Sequence, residues 1–212
     1  MDIKWKPFYL PNLPLFETQL PETLMGRLWS YIDAAKDSFR SNLVGNLSTS
    51  LTLVDTDNHF AEKVVLPVAN AYIEQSPFKF YSNNASLNHP TNLFLESMWV
   101  NFQKQHEFNP IHNHSGLLSF VIWMKIPTEY QDQHQLPFSK GTNSPSASDF
   151  QFVYNDMLGF IRDFPIPMGK FQEGWMLLFP SKLQHQVYPF YNCYEDRVSI
   201  SGNIACKNNP YT

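Results

Sequence analysis

Beyond Asn92 no apolar run is long enough for a sustained helix; each is short and closed by Pro, Gly, Asn or Ser, the pattern of strands joined by turns. Seven such runs stand out: Ser97–Phe102, Ile111–Ser115, Leu118–Lys125, Phe150–Tyr154, Trp175–Phe179, His185–Tyr188 and Arg197–Asn203. Upstream the pattern is different. After Pro21, a residue tolerated in a first helical turn, Leu24, Leu28, Tyr31, Ile32, Ala35 and Phe39 recur at helical spacing. A second helix is expected after Asp57 or Asn58 through Phe60, Val64, Val65, Val68 and Tyr72, kinked or interrupted at Pro67. The order is therefore helices first, sheet second, with the helices as supports.

The first twenty residues carry Pro7, Pro11 and Pro14 among aromatics and read as an extended arm or edge strand over the body. Between Pro127 and Gly174 lies a long polar section that includes Ser139-Lys140-Gly141-Thr142-Asn143-Ser144-Pro145. Such loops are often lids or binding loops. A length of 212 residues suits one domain. Residues 1–95 would supply the arm and helices, and residues 96–205 the core, with a long insertion at 127–173.

Eighteen Phe, 10 Tyr and 5 Trp against 16% charged residues favour a globular, strand-rich protein over disorder. A net charge of −4 leaves no cationic excess with which to neutralise many phosphates, so nucleic acid is not an expected partner. No run reaches the roughly 18 apolar residues that cross a bilayer, and the start lacks the apolar segment of a signal peptide. The expectation is a soluble cytoplasmic protein. Cys193 and Cys206 form no close pair, and reduced thiols are expected, with a disulfide between them left open.

Candidate chemistry begins at His112-Asn113-His114. Two residues apart on a strand project from one face, so both imidazoles can reach one ion. His185, just after the apolar strand from Trp175 and its turn, is the third candidate. Imidazole suits iron, copper, nickel and zinc alike, so the ligands alone do not select the metal. His59, His89, His106 and His134 read as surface or loop residues, with His106 the nearest rival. Farther on, Arg197, Ser199 and Ser201 alternate with Val198 and Ile200, giving a strand one polar face. An arginine fork beside a hydroxyl grips a carboxylate at two points.

The stretches Trp99-Val100-Asn101-Phe102, Asn109-Pro110-Ile111-His112-Asn113-His114-Ser115-Gly116 and Leu118–Ile122 resemble the metal-binding half of the 2-oxoglutarate/Fe(II)-dependent oxygenase family. Gly174–Ser181, His185–Pro189 and Arg197–Asn203 resemble its closing motif. The likeness runs from about Ser97 to Asn203, to members found in bacteria and marine bacteriophages. It implies a mainly β fold with N-terminal helices around a double-stranded β-helix, a jelly-roll, cupin-like core. It also implies Fe(II) on His112, His114 and His185, with 2-oxoglutarate as cosubstrate held at its distal carboxylate by Arg197 and Ser199. Asn101, Asn203 and Trp99 are candidate site-lining residues. The implied reaction couples 2-oxoglutarate decarboxylation by dioxygen to oxidation, by default hydroxylation, of a small molecule or a peptide or protein side chain.

One departure stands out: most such oxygenases carry His-x-Asp or His-x-Glu where this chain has His112-x-His114. A neutral imidazole leaves the site one unit more positive. Two alternatives stay open. One is a three-His cupin-like dioxygenase or isomerase that does not use 2-oxoglutarate, and the other is a non-catalytic β-helix binding module.

Overall fold

The computed structural model of the chain describes residues 14–76 and 92–207. The arm's Pro7 and Pro11, His89 and most of the Asn/Ser/Pro loop before Asn92 lie outside the described residues. Among the described residues, ten strands form two antiparallel sheets. They are β1 (Phe16–Gln19), β2 (Thr49–Thr52), β3 (Leu93–Gln103), β4 (Asn109–His112), β5 (Leu118–Lys125), β6 (Phe150–Asn155), β7 (Ile161–Ile166), β8 (Trp175–Pro180), β9 (Gln184–Val187) and β10 (Arg197–Cys206). The larger sheet runs β1-β8-β5-β10-β3-β2 and the smaller β4-β9-β6-β7. The non-sequential strand order is that of a double-stranded β-helix, in which the chain passes repeatedly from one sheet to the other.

The period-2 alternation of the long strands divides the core in two. Met98 and Val100 of β3, Phe120 and Ile122 of β5, Leu178 of β8 and Ile200 of β10 face one apolar cluster, which the helices cover with Leu28, Ile32, Val65 and Tyr72. Val121 and Trp123, Leu177 and Phe179 fall on the opposite parity and meet Phe150 and Phe152 of the smaller sheet. Strands β5 and β8 are thus apolar on both faces. The other inward positions, on β3 and β10, are where polar residues enter the interior.

Helix α1 (Glu22–Ala34) ends earlier than the Leu24-to-Phe39 spacing suggests. Ala35 turns to an extended conformation, and Phe39 instead stacks on Trp99 with ring centroids 4.9 Å apart. The second helical stretch is interrupted at Pro67 as expected, by a π-turn over Ala61–Val65 that leads into α2 (Leu66–Gln75). Proline has no N–H and its ring crowds the carbonyl four residues back, and the wider turn accommodates both. The arm's last part does form an edge strand: among the described residues, β1 pairs only with β8.

Within 127–173 the chain forms a short helix α3 (Tyr130–His134) and the hairpin β6–β7, so much of this polar section is sheet. Strand β7 escapes the sequence pattern because it lies at a sheet edge with nearly every residue exposed, and it contains Pro165. Strand β2 is four residues of Ser, Thr and Leu between polar stretches, too short to show alternation. No disulfide joins Cys193 and Cys206. Among the described residues, no helix is long and apolar enough to cross a membrane.

Candidate active site

Strand β4 pairs with β9 so that His112 lies directly across from His185. Strand β4 ends there, and His114 therefore does not share a strand face with His112, as the two-residue spacing suggested. A turn places it instead. The His114 N–H donates to the Ser181 carbonyl at 2.8 Å, and Lys182 Nζ donates to the His114 carbonyl at 3.0 Å. Gly116 completes the turn with φ +78°, and a Cβ there would stand 2.7 Å from the Ile204 carbonyl oxygen, so glycine is required twice over. One candidate ligand nitrogen from each of the three histidines lies within 4.8 Å of the others.

Each ring has its Nδ1 committed to an oxygen. His112 Nδ1 is 2.7 Å from the Pro110 carbonyl, His185 Nδ1 is 3.0 Å from the Leu183 carbonyl, and His114 Nδ1 is 3.0 Å from Asn203 Oδ1. Carbonyl and amide oxygens only accept, so Nδ1 carries the proton in all three and Nε2 presents its lone pair. Asn203 Oδ1 also accepts from Ser119 Oγ at 2.9 Å, while Asn203 Nδ2 donates to Ser115 Oγ at 3.1 Å, which fixes the amide's orientation. Such hydrogen bonds behind ligating histidines set tautomer and ring angle.

The Nε2 atoms of His114 and His185 approach to 3.1 Å. Two lone pairs that close repel, and a shared cation turns the repulsion into attraction. Nitrogens bound at right angles about 2.1 Å from a divalent ion are themselves about 3 Å apart, so the donor set fits a metal.

Burial suppresses the charged forms of these rings. His114 is pushed down to about 4, by burial first and then by the charge of His112. His185, walled by Phe150 and Phe179, lies well below its ordinary value for the same reasons, and His112 is lowered by burial. Neutral imidazole is the form that ligates metal.

Beside the cluster lies a cavity of about 50 Å³ between the sheets. Register makes its polar wall: Trp99, Asn101 and Gln103 of β3 stand opposite Ser201, Ser199 and Arg197 of β10. Arg197 is 3% exposed, with Nη1 donating to Gln103 Oε1 at 3.5 Å, Nη2 donating to Ser148 Oγ, and the guanidinium 5.1 Å above the Phe190 ring. Its Nε has no partner, and among the described residues no carboxylate lies within salt-bridge distance of it. Burial draws its pKa down to about 10, partly opposed by Asp149. Asp149 is itself paired with His134 at 2.9 Å. A buried guanidinium without a carboxylate is costly, and an anionic ligand at the free Nε edge removes that cost.

The sequence-derived residues thus converge: His112, His114, His185, Arg197, Ser199, Asn101 and Trp99 all line this cavity. Asn203 reaches the site through His114. Gln103, Ser148 and Phe190, which hold Arg197, were not singled out. Gln103 was accessible by parity, two residues beyond Asn101, whereas Ser148 lies in a loop that no pattern marks. His106 stays apart, with φ +70° and its ring edge-on to Tyr191. His134 is half-buried in its contact with Asp149 and is not a free surface residue. A more open cleft of about 480 Å³ borders His112 and His114 and is lined by Phe39, Leu43, Val44, Asn42, Asn113 and Ser115.

Three imidazoles able to hold a metal and a buried arginine thus line one cavity within a double-stranded β-helix. Residues 97–203, half of the chain, match the family model described as putative 2OG-Fe(II) oxygenase, and the chain belongs to that family.

Among solved structures, it is similar to the non-haem α-ketoglutarate-dependent epimerase SnoN of nogalamycin biosynthesis (9% identity, 91% of this chain, 78% of that chain, TM-score 0.53). It is also similar to HygX of Streptomyces hygroscopicus, crystallised with nickel, 2-oxoglutarate and hygromycin B (11% identity, 91% of this chain, 83% of that chain, TM-score 0.51). The carbocyclase SnoK of nogalamycin biosynthesis is a further match (7% identity, 92% of this chain, 83% of that chain, TM-score 0.51). At these identities the likeness is one of fold. No curated protein sequence matches the chain.

Proposed function

We propose that the chain is a 2-oxoglutarate-dependent hydroxylase in which Nε2 of His112, His114 and His185 hold Fe(II), and Arg197 with Ser199 holds the distal carboxylate of 2-oxoglutarate. The observation that carries this reading is the pairing, within one cavity, of three imidazoles whose lone pairs converge with a buried Arg197 that has no carboxylate partner. Bound iron supplies the reaction of dioxygen with 2-oxoglutarate, which yields succinate and carbon dioxide and places one oxygen atom in a substrate C–H bond.

The chain's own groups position and exclude. Asn203, Pro110 and Leu183 keep each Nδ1 protonated, so that every Nε2 stays a donor to the metal. Gln103, Ser148 and Phe190 hold the guanidinium of Arg197 at the cavity wall and leave its Nε unpaired. Phe150, Phe179 and Val187 make the remaining walls apolar, which keeps bulk water from the reacting groups. The substrate, a small molecule or a peptide or protein side chain, enters by the more open cleft beside His112 and His114.

A second reading is favoured by the missing carboxylate, since three neutral imidazoles are the only His, Cys, Asp or Glu cluster able to hold a metal among the described residues. In it the protein is a three-His dioxygenase or isomerase, and Arg197 anchors a substrate carboxylate. Succinate formation separates the two. Purified Fe(II)-loaded protein incubated with 2-oxoglutarate and air is expected to release succinate slowly even without substrate, and His185→Ala to release none. Wild-type protein that binds iron yet forms no succinate above the His185→Ala background contradicts the 2-oxoglutarate reading and favours the second.

A further inference from the structure

Among the described residues, two buried side-chain nitrogens have no hydrogen-bond partner: Arg197 Nε and Trp99 Nε1. Both residues line the same cavity. A buried N–H left unpaired costs about as much as a lost hydrogen bond, and native structures rarely tolerate one without a ligand or a water. Trp99 is 3% exposed and stacks with Phe39 at 4.9 Å and with His114 at 5.5 Å, so its indole has little freedom to turn toward another acceptor.

The register separates the two donors. Trp99 sits on the rung with Ser201, and Arg197 on the rung with Gln103, four residues away, about 13 Å along the strands. One donor stands against the histidine cluster and the other at the far end of the polar wall. A dicarboxylate offers one anionic group to each. We infer that Trp99 Nε1–H is a second cosubstrate-binding donor, to the carboxylate at the 2-oxo acid end of 2-oxoglutarate, complementing Arg197 at the distal end.

The inference rests on the proposed use of 2-oxoglutarate. It also gives the tryptophan two tasks, because its stacking on His114 ties cosubstrate binding to the orientation of one candidate metal ligand. A phenylalanine keeps the stack and lacks the donor, so the tasks can be separated.

The test uses ¹⁵N-labelled full-length protein loaded with zinc, a diamagnetic substitute for Fe(II), and follows the indole N–H signals. The Trp99 signal is assigned by its absence in Trp99→Phe. It is expected to move downfield with 2-oxoglutarate and also with millimolar pyruvate, which has the 2-oxo acid end alone. Trp99→Phe is expected to raise the 2-oxoglutarate Kd by about 10- to 100-fold, the range for one charge-assisted hydrogen bond, and to leave zinc affinity unchanged. If 2-oxoglutarate binds but the Trp99 signal stays in place and Trp99→Phe binds it within twofold, a water fills the donor's needs and the inference fails, with the proposed function intact. A shift with 2-oxoglutarate but none with pyruvate overturns the assignment of the end. Wild-type protein that binds no 2-oxoglutarate at all overturns both.

Discussion

His112 and His185 are cross-strand partners on β4 and β9, and their ring centroids stand 4.2 Å apart. The metal site is therefore built on a β-ladder for two of its ligands and on a hydrogen-bonded turn for the third, His114. The turn ligand depends most on what lies behind it.

Asn203→Ala is expected to test that dependence. It removes the oxygen that accepts from His114 Nδ1 and frees the ring to change tautomer. Loss of such a partner typically weakens metal binding about 10- to 100-fold. Competition with a chromophoric chelator should read a loss of that size, with near-ultraviolet circular dichroism unchanged. Equal affinity would mean that the turn alone orients His114.

The metal-free protein is expected to lose stability as pH falls from about 6.5 to about 4. The unfolded chain takes up a proton near the ordinary histidine value of 6.5, whereas folded His114 resists protonation down to about 4. Between those values the unfolded state binds more protons, so acid favours unfolding. His185 and His112 shift in the same direction. Melting of the chelator-treated protein across this window should show a falling Tm, and saturating zinc should move the fall to lower pH. A flat profile would show that the three rings are not held neutral.

Arg197→Met is expected to uncouple folding from binding. The charge is buried without a carboxylate partner, so an apolar chain of similar reach should leave stability little changed or raise it. Removing the cation should weaken 2-oxoglutarate binding by about 100-fold or more, while metal binding persists. Denaturant unfolding and calorimetric titration check the two halves separately.

Gly202→Ala addresses packing next to Asn203. A Cβ at Gly202 would stand 2.5 Å from the Phe120 ring and 2.8 Å from the Ser97 carbonyl oxygen. Overpacking of this kind costs about 1–3 kcal/mol. A urea midpoint lowered accordingly is the expected result, and an unchanged midpoint would mean that β10 and β5 can separate at no cost.

The sequence carried much of this site for a physical reason. The residues that line the cavity alternate along β3 and β10, and period-2 alternation survives wherever one strand face is apolar and the other polar. Arg197, Ser199 and Asn101 were legible in that way, whereas His112 was legible from the His-x-His spacing and His185 from its place just after the apolar strand from Trp175. His114 was found by spacing but placed for the wrong reason, since its position depends on a turn held by Ser181 and Gly116 rather than on strand parity. Strand β7 was hidden because an exposed edge needs no apolar face, and Ser148 and His134 because their partners are distant in sequence. Phe39 kept helical spacing with α1 while serving a different contact, the stack on Trp99.

The central claim, that one cavity holds both the iron and the cosubstrate, is most directly tested by anaerobic titration of Fe(II) and then 2-oxoglutarate into reduced, metal-free protein. The account predicts a weak visible charge-transfer band that appears only when both are present, disappears in His185→Ala and needs far more 2-oxoglutarate in Arg197→Met. Iron binding at His112, His114 and His185 with no such band at saturating 2-oxoglutarate would contradict it.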